Sequence, residues 1–384
     1  MEICKNVTCT GCGVCADACP QKCISIKYDE NGFYRSYVND NLCVNCQHCR
    51  NVCPANHPNK EHRINKAYKA RRTDKMAASQ STSGGIATAL SEYVVRNEGF
   101  VAGCGFDDMF CLKHSLASSS NELQKFKGSK YLQSYMVGIY NKVRTRLQEG
   151  KMVLFIGSPC QVSALHNYLG KGYDNLFTVD FICHGVPSQY VFNKYIDSIA
   201  TNGVLQSIKF RNKTQGYGNK KACAEFEIEF SDKTIRNTTE TGVYFWFASS
   251  LSIRESCYKC PFVSLNRASD ITLADYIGKD LSVTDNEIGV NTVFVNSEKG
   301  ATLLERIKQD IVLESRDVAA TVKLYDRLTI GSRKPTCRSS FFKELSNSDY
   351  QTLVDKYTLV NILPSKIVRR YYAMKRRIHK FFIR

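Results

Sequence analysis

The rhythm of polar and apolar positions changes along this 384-residue chain. Near the start, two β-rich stretches, Ile24 to Tyr28 and Phe33 to Val38, flank a turn at Asn31-Gly32. A polar bridge from Asn56 to Lys66 follows, and from Ala67 helical patterns alternate with short apolar runs. Ile86 to Val95 reads as an amphipathic helix, and Met152 to Ile156 and Leu176 to Ile182 read as buried strands. Ala224 to Phe230 and Thr292 to Val295 return to sheet, so an α/β domain is predicted here. Beyond Pro364, Ile367, Tyr371, Met374, Ile378 and Phe381 or Phe382 recur at helical spacing among basic residues. Such a helix can lie on an anionic membrane, or its apolar face can dock on the protein's own core or on a partner.

Composition narrows the classes. With 43% hydrophobic residues, the chain can fill a sizeable core. No apolar stretch follows Met1 as a signal peptide would require, and no 18-residue apolar run occurs, so a cytoplasmic protein is expected, peripheral at the inner face of the membrane if the tail binds lipid. The 53 Lys and Arg against 36 Asp and Glu give a formal charge of +17. Much of the excess is terminal, since no acidic residue follows Asp355. A basic tail far from any aromatic-rich sheet motif argues for an attachment surface and against nucleic-acid binding.

The 18 cysteines change the picture most. Eight of them form two copies of one spacing, Cys9-x2-Cys12-x2-Cys15-x3-Cys19-Pro20 and Cys43-x2-Cys46-x2-Cys49-x3-Cys53-Pro54. This is the spacing of bacterial two-cluster ferredoxins, in which the last cysteine of each run ligates the other cluster. Cys9, Cys12, Cys15 and Cys53 are accordingly assigned to one [4Fe-4S] cubane, and Cys43, Cys46, Cys49 and Cys19 to a second. Paired zinc sites or disulfides fit poorly, because zinc ligands usually come as separate C-x2-C units and nothing points to an oxidising compartment. Taking each cubane with its thiolates as about −2, two or three clusters would reduce the formal charge to roughly +13 or +11. The expected architecture is an α+β ferredoxin-like N-terminal domain followed by a larger α/β domain. Its divisions are residues 1–58, 67–335 and a helical basic tail, 336–384.

A second constellation lies in the larger domain: Cys160, Cys183 and the pair Cys257-x2-Cys260, beside Pro159, Gly185 and Pro261. By spacing alone it fits a cluster, a zinc site or a redox-active pair. The words around it are more telling. Ser81-Thr-Ser-Gly-Gly85, Lys127-Gly-Ser-Lys-Tyr-Leu-Gln-Ser134, Gly157-Ser-Pro-Cys-Gln161, Cys183-His-Gly-Val-Pro-Ser188, Arg254-Glu-Ser-Cys-Tyr-Lys-Cys-Pro261 and Arg267-Ala-Ser-Asp-Ile-Thr-Leu-Ala-Asp275 follow in order. Together they resemble the coenzyme F-420 (deazaflavin) hydrogenase/dehydrogenase beta-subunit family. The resemblance implies an iron–sulfur flavoprotein with a third cluster on Cys160, Cys183, Cys257 and Cys260. It also implies FAD, a reduced ferredoxin or similar donor, and a small substrate. Where the family often has Gly-Asp-Phe-Trp-Gly, this chain has Ala274-Asp-Tyr-Ile-Gly278, which removes an aromatic surface. Similar chains occur beside surface-polysaccharide genes, which suggests a glycan precursor.

For the flavin, Ser83-Gly84-Gly85 before the Ile86 helix offers small residues and a helix N-terminus to a pyrophosphate, or else an ordinary serine cap with glycines in a tight turn. Lys127, Ser129 and Lys130 add charge-assisted donors, or else form a solvated basic loop. His184 is read as a proton donor or as support for a cluster ligand. Asp180, Asp270 and Asp275 are read as hydroxyl-binding or turn residues, and Arg211 as an anion holder or a surface charge. Cys23 lies close to a cluster motif; Cys4, Cys104, Cys111, Cys223 and Cys337 read as ordinary thiols. The function expected is that of a flavin-dependent iron–sulfur oxidoreductase. The alternative is a non-enzymatic electron-transfer subunit that serves a partner enzyme.

Overall fold

The computed structural model describes residues 1–200, 202–211, 213, 216–217, 226–237 and 244–357. The strand ending at Phe230 is seen from Phe226, and Ala224 lies outside the described residues. So does the basic segment after Pro364, with its expected helix.

The expected hairpin is present, with Ile24–Tyr28 pairing antiparallel to Tyr34–Val38 in the register Ile24↔Val38. Its turn is built by Asp29, whose carboxylate accepts the Asn31 and Phe33 amides at 3.0 and 2.9 Å, with Gly32 at φ +76°. Here the glycine supplies a conformation that a β-carbon would resist. Short helices, Val14–Asp17 and His48–Asn51, follow the two cysteine loops.

In the larger domain an eight-stranded sheet runs in the order Ile311–Arg316, Lys66–Arg72, Asn291–Val295, Ile271–Asp275, Leu176–Phe181, Val153–Ile156, Phe100–Phe106, Leu112–Ala117. The four strands from Ile271–Asp275 to Phe100–Phe106 are mutually parallel, and antiparallel strands flank them on both sides. Strands buried on both faces read as unbroken apolar runs, which explains why Val-Leu-Phe-Ile and Leu-Phe-Thr-Val are legible in the sequence. Leu154 faces one core with the helices Ile86–Arg96 and Glu298–Arg306. Val153 and Phe155 face the other, with Ile139–Gln148 and Pro159–Leu169. Cys12 and Val14 of the N-terminal domain join this second face, so the small domain is seated on the sheet's helical layer.

A separate core gathers around a three-stranded sheet, Thr234–Asn237, Phe226–Phe230 and Leu205–Lys209. The helix Gln189–Ile199 covers it, as do Arg338–Glu344 and Tyr350–Tyr357. Phe341 and Leu353 are fully buried there, so the helices that open the segment 336–384 belong to this core up to Tyr357. No helix of the described residues is long and apolar enough to cross a membrane.

Candidate iron–sulfur and flavin sites

Each cysteine run wraps its loop in the same way. Gly11 and Gly13 adopt positive φ (+67° and +73°), and the matching residues of the second copy, Asn45 and Gln47, do so too (+53° and +64°). Alternating left-handed residues turn successive N–H groups inward, which suits an anionic cluster. Asparagine tolerates this conformation, and glutamine holds it only where the surroundings impose it.

The thiols of the two runs lie in two neighbouring groups, with Cys49 acting on Cys15 between them. Cys53 acts electrostatically on Cys12 and Cys15, beside Cys9. Cys19 instead acts on Cys49 together with Cys46, and Cys19, Cys43, Cys46 and Cys49 line one cavity with Cys23. The two groups differ in setting. Cys12, Cys15 and Cys53 are buried, with Cys12 packed on the larger domain, whereas in the other group Cys49 is buried and Cys46 is exposed. Every described cysteine is a free thiol, so none of them is tied into a disulfide framework. Among the described residues no three His, Cys, Asp or Glu side chains are gathered to hold a single metal ion.

Sequence reasoning misses Cys4. It reads as an ordinary thiol, yet its sulfur lies against both Cys9 and Cys53, which push its titration far up while it holds theirs down. Cys23 Sγ lies 3.4 Å from Cys19 Sγ. Each expected ligand group therefore has a fifth thiol beside it.

Docking of the small domain is polar and specific. Tyr140 Oη donates to the Cys12 carbonyl at 2.9 Å, the Gly138 amide donates to Asp17 at 2.6 Å, and Asn167 donates to the His57 carbonyl at 2.7 Å. Tyr140→Phe leaves the Cys12 carbonyl without its buried donor and should cost about 1–3 kcal/mol, read as a lower urea midpoint at unchanged m. At the centre lies Arg254, a residue to which the sequence assigns no role, only 1% exposed. Its Nη1 donates to the carbonyls of Tyr34 (3.1 Å) and Cys9 (3.4 Å), and its Nη2 donates to Gln133. Two residues on, Ser256 Oγ donates to the same Cys9 carbonyl at 3.0 Å. The only signal in the sequence is the word Arg-Glu-Ser-Cys, which ties this arginine to Cys257.

The second-domain cysteines converge. Cys160 is the second residue of the helix Pro159–Leu169, just past the carboxyl end of Val153–Ile156, and Cys183 follows the carboxyl end of the neighbouring Leu176–Phe181. Crevices outside the carboxyl ends of parallel strands are where α/β sheets bind ligands. Gly185 lets the third segment approach, since a β-carbon there would lie 3.3 Å from Cys257 Cβ. Burial pushes the Cys160, Cys257 and Cys260 thiols up to about 11, and Cys183 is raised by burial and then by Cys257, Cys160 and Cys260. The four thiols therefore share one neighbourhood. At Cys160 the positive end of the helix favours a thiolate.

The residues considered for flavin are placed unequally. Ser83 Oγ donates to the Val290 carbonyl at 2.6 Å, so it neither caps the helix nor faces outward; the N-cap is Gly85 at φ +81°, and Asn291 Oδ1 accepts the Ile86 amide. A β-carbon on Gly84 would lie 2.5 Å from the Ala70 carbonyl, so this glycine lets the turn pack onto the chain's own strand. Lys127 Nζ lies 3.5 Å from Gln80 Oε1, which brings the 127–130 loop alongside the segment leading to Ser83. Lys130 donates to the carbonyls of Lys125 (3.0 Å) and Lys127 (2.7 Å) and has no carboxylate partner among the described residues, and burial pulls it down to about 8. Asp180 is fully buried against Arg267 (2.8 Å), Asp270 accepts from Thr178, and Asp275 pairs with Arg211 at 2.6 Å. All three carboxylates thus take structural partners. Burial lowers His184 to about 4, so it is neutral near pH 7, with Nε2 3.0 Å from Ser250 Oγ.

Two regions of the chain match known families. Residues 8–57 match the model of the 4Fe-4S dicluster domain, and residues 150–321 match the model of the carboxy-terminal part of the coenzyme F420 hydrogenase/dehydrogenase beta subunit. A ferredoxin of Methanocaldococcus jannaschii is 44% identical over 48 residues, 12% of this chain; the match spans 61% of that ferredoxin's length. A xenon-derivatised structure of the F420-reducing NiFe hydrogenase complex from Methanosarcina barkeri aligns at 17% identity with a TM-score of 0.45, over 77% of this chain and 93% of that one. The chain therefore joins a region that matches the 4Fe-4S dicluster domain to one that matches the carboxy-terminal part of the coenzyme F420 hydrogenase/dehydrogenase beta subunit, and it is related to both.

Proposed function

We propose that the chain is a flavin-dependent iron–sulfur oxidoreductase with a third cluster on Cys160, Cys183, Cys257 and Cys260. The observation that carries this reading is the pair of bonds from Arg254 and Ser256 to the Cys9 carbonyl, which fastens one expected cluster loop to the segment bearing Cys257. Clusters exchange single electrons and a flavin collects two, so the groups together would convert one chemistry to the other. The protein supplies placement. The exposed Cys46 edge is where a reduced ferredoxin or similar donor would meet the chain, and the Cys9 and Cys12 carbonyls are bonded to the second domain.

FAD fits the basic 127–130 loop best. Lys127, Ser129 and Lys130 would meet its phosphates or reduced ring, with Ser83, Gly84 and Gly85 as packed backing rather than as an open cradle. A glycan precursor as substrate rests on the family resemblance and on no residue of the site. The competing reading, a relay subunit without flavin, is favoured by the beta-subunit description of the matching family. Anaerobic reconstitution followed by iron, sulfide and flavin analysis separates them. The expected result is about twelve irons, four per cubane, with one FAD. Eight irons, unchanged by Cys257→Ser with Cys260→Ser, would remove the third cluster; a flavin-free holoprotein would leave the relay.

A further inference from the structure

We infer that Arg254 is the shared countercharge of the two iron–sulfur sites it lies between and that it raises their reduction potentials. The half concerning Cys257 rests on the third cluster proposed above; the half concerning Cys9 does not. A guanidinium buried to 1% exposure is costly unless an anion compensates it. Yet no carboxylate pairs with Arg254 among the described residues. Its partners are the Tyr34 and Cys9 carbonyls, the Gln133 side-chain oxygen and the face of Phe33, 5.0 Å away, and all are neutral. Asp29, the carboxylate of this region, is taken by Arg35 at 2.9 Å. One donor is left over, because Arg254 Nε is buried with no acceptor among the described residues.

Besides Asp29, the groups near it that can carry negative charge include the sulfurs of Cys9, Cys257 and Cys160, and Arg35 is a second cation on the Cys9 side. A cubane with four thiolates bears about −2 when oxidised and one more negative charge when reduced, and its potential follows local charge, hydrogen bonds to sulfur and exposure. A fixed buried cation therefore favours the reduced form, and strongly, since little water screens it. Gly11 belongs to the same device: a β-carbon there would lie 2.5 Å from Arg254 Nη2, so the glycine leaves room for the charge against the cluster loop. Arg254 is on this view a positioning and potential-setting residue.

The test is an EPR-monitored redox titration of the reconstituted full chain, as wild type, Arg254→Gln and Arg254→Lys. At the wild-type midpoint of the Cys9 cluster, Arg254→Gln should raise the oxidised-to-reduced ratio about tenfold, which is about 59 mV downward for a one-electron couple. Arg254→Lys keeps the charge and should stay close to wild type, and the cluster at the exposed Cys46 edge should not move in either. A midpoint unchanged in Arg254→Gln, or displaced equally by lysine and glutamine, overturns the inference. Should the glutamine variant not hold its clusters, Gln133→Glu serves instead: it sets a carboxylate on the guanidinium and should lower the same midpoint, and an unmoved value there is equally fatal. Iron content keeps the two readings apart. Eight irons remove the Cys257 half, and the Cys9 midpoint still decides the rest.

Discussion

Serine at Cys19 should strip the cluster bound by the Cys43, Cys46 and Cys49 loop and spare the one at Cys9, Cys12 and Cys15, while serine at Cys53 should do the reverse. The sequence pattern predicts this exchange, and the folded chain places Cys53 among the first group and Cys19 among the second. Each loss removes about four irons. Because Cys23 Sγ is 3.4 Å from Cys19 Sγ, and Cys4 lies against Cys53, a single serine can be rescued by the neighbouring thiol. The decisive proteins are therefore Cys19→Ser with Cys23→Ser, and Cys53→Ser with Cys4→Ser. Iron analysis and the EPR of the surviving cluster read the outcome; loss of the cluster in the same half of the motif as the mutation would refute the crossing.

Asp180→Ala should destabilise the larger domain by about 3–5 kcal/mol, because it leaves Arg267 charged and alone in the interior. Both partners are essentially inaccessible (0% and 2% side-chain exposure), Thr272 donates to the other carboxylate oxygen at 2.6 Å, and Arg267 Nε already lacks an acceptor. Replacing both, as Asp180→Leu with Arg267→Met, should recover much of the loss, since a well-packed apolar pair needs no charge compensation. Urea midpoints at constant m would show it. A single variant as stable as wild type, or one that loses flavin at full stability, would make Asp180 a ligand-binding group after all.

Period and spacing make some parts legible, and contacts at a distance hide the rest. Strands such as Val153–Ile156 declare themselves because burial on both faces leaves no polar position. The eight N-terminal cysteines stand out because a cluster loop demands one spacing, and duplication repeats it. Ser83, Gly84 and Gly85 are ambiguous for a physical reason: small residues before a helix serve a phosphate and a close strand equally well, and the packing on the Ala70 carbonyl and Val290 is visible only in the fold. Arg254 is opaque because its hydrogen-bond partners lie more than a hundred residues away, at Cys9, Tyr34 and Gln133. Cys4 is opaque because its neighbours are defined by folding, not by register in the motif. The 336–357 helices look like the start of a tail because charge rises beyond them, although Phe341 and Leu353 anchor them in a core.

A free ferredoxin must find its acceptor by collision, so its delivery rate scales with concentration and is sensitive to ionic strength. In this chain the Cys12 carbonyl is bonded to Tyr140 and the Cys9 carbonyl to Ser256, so the encounter has already taken place in the fold. On the function proposed above, donor and acceptor would sit at a permanent, linker-free effective concentration, and no dissociation step would follow a transfer between them. Dilution and salt would then act only at the Cys46 edge. Such a chain would have made the search for one redox partner internal and left a single search to diffusion.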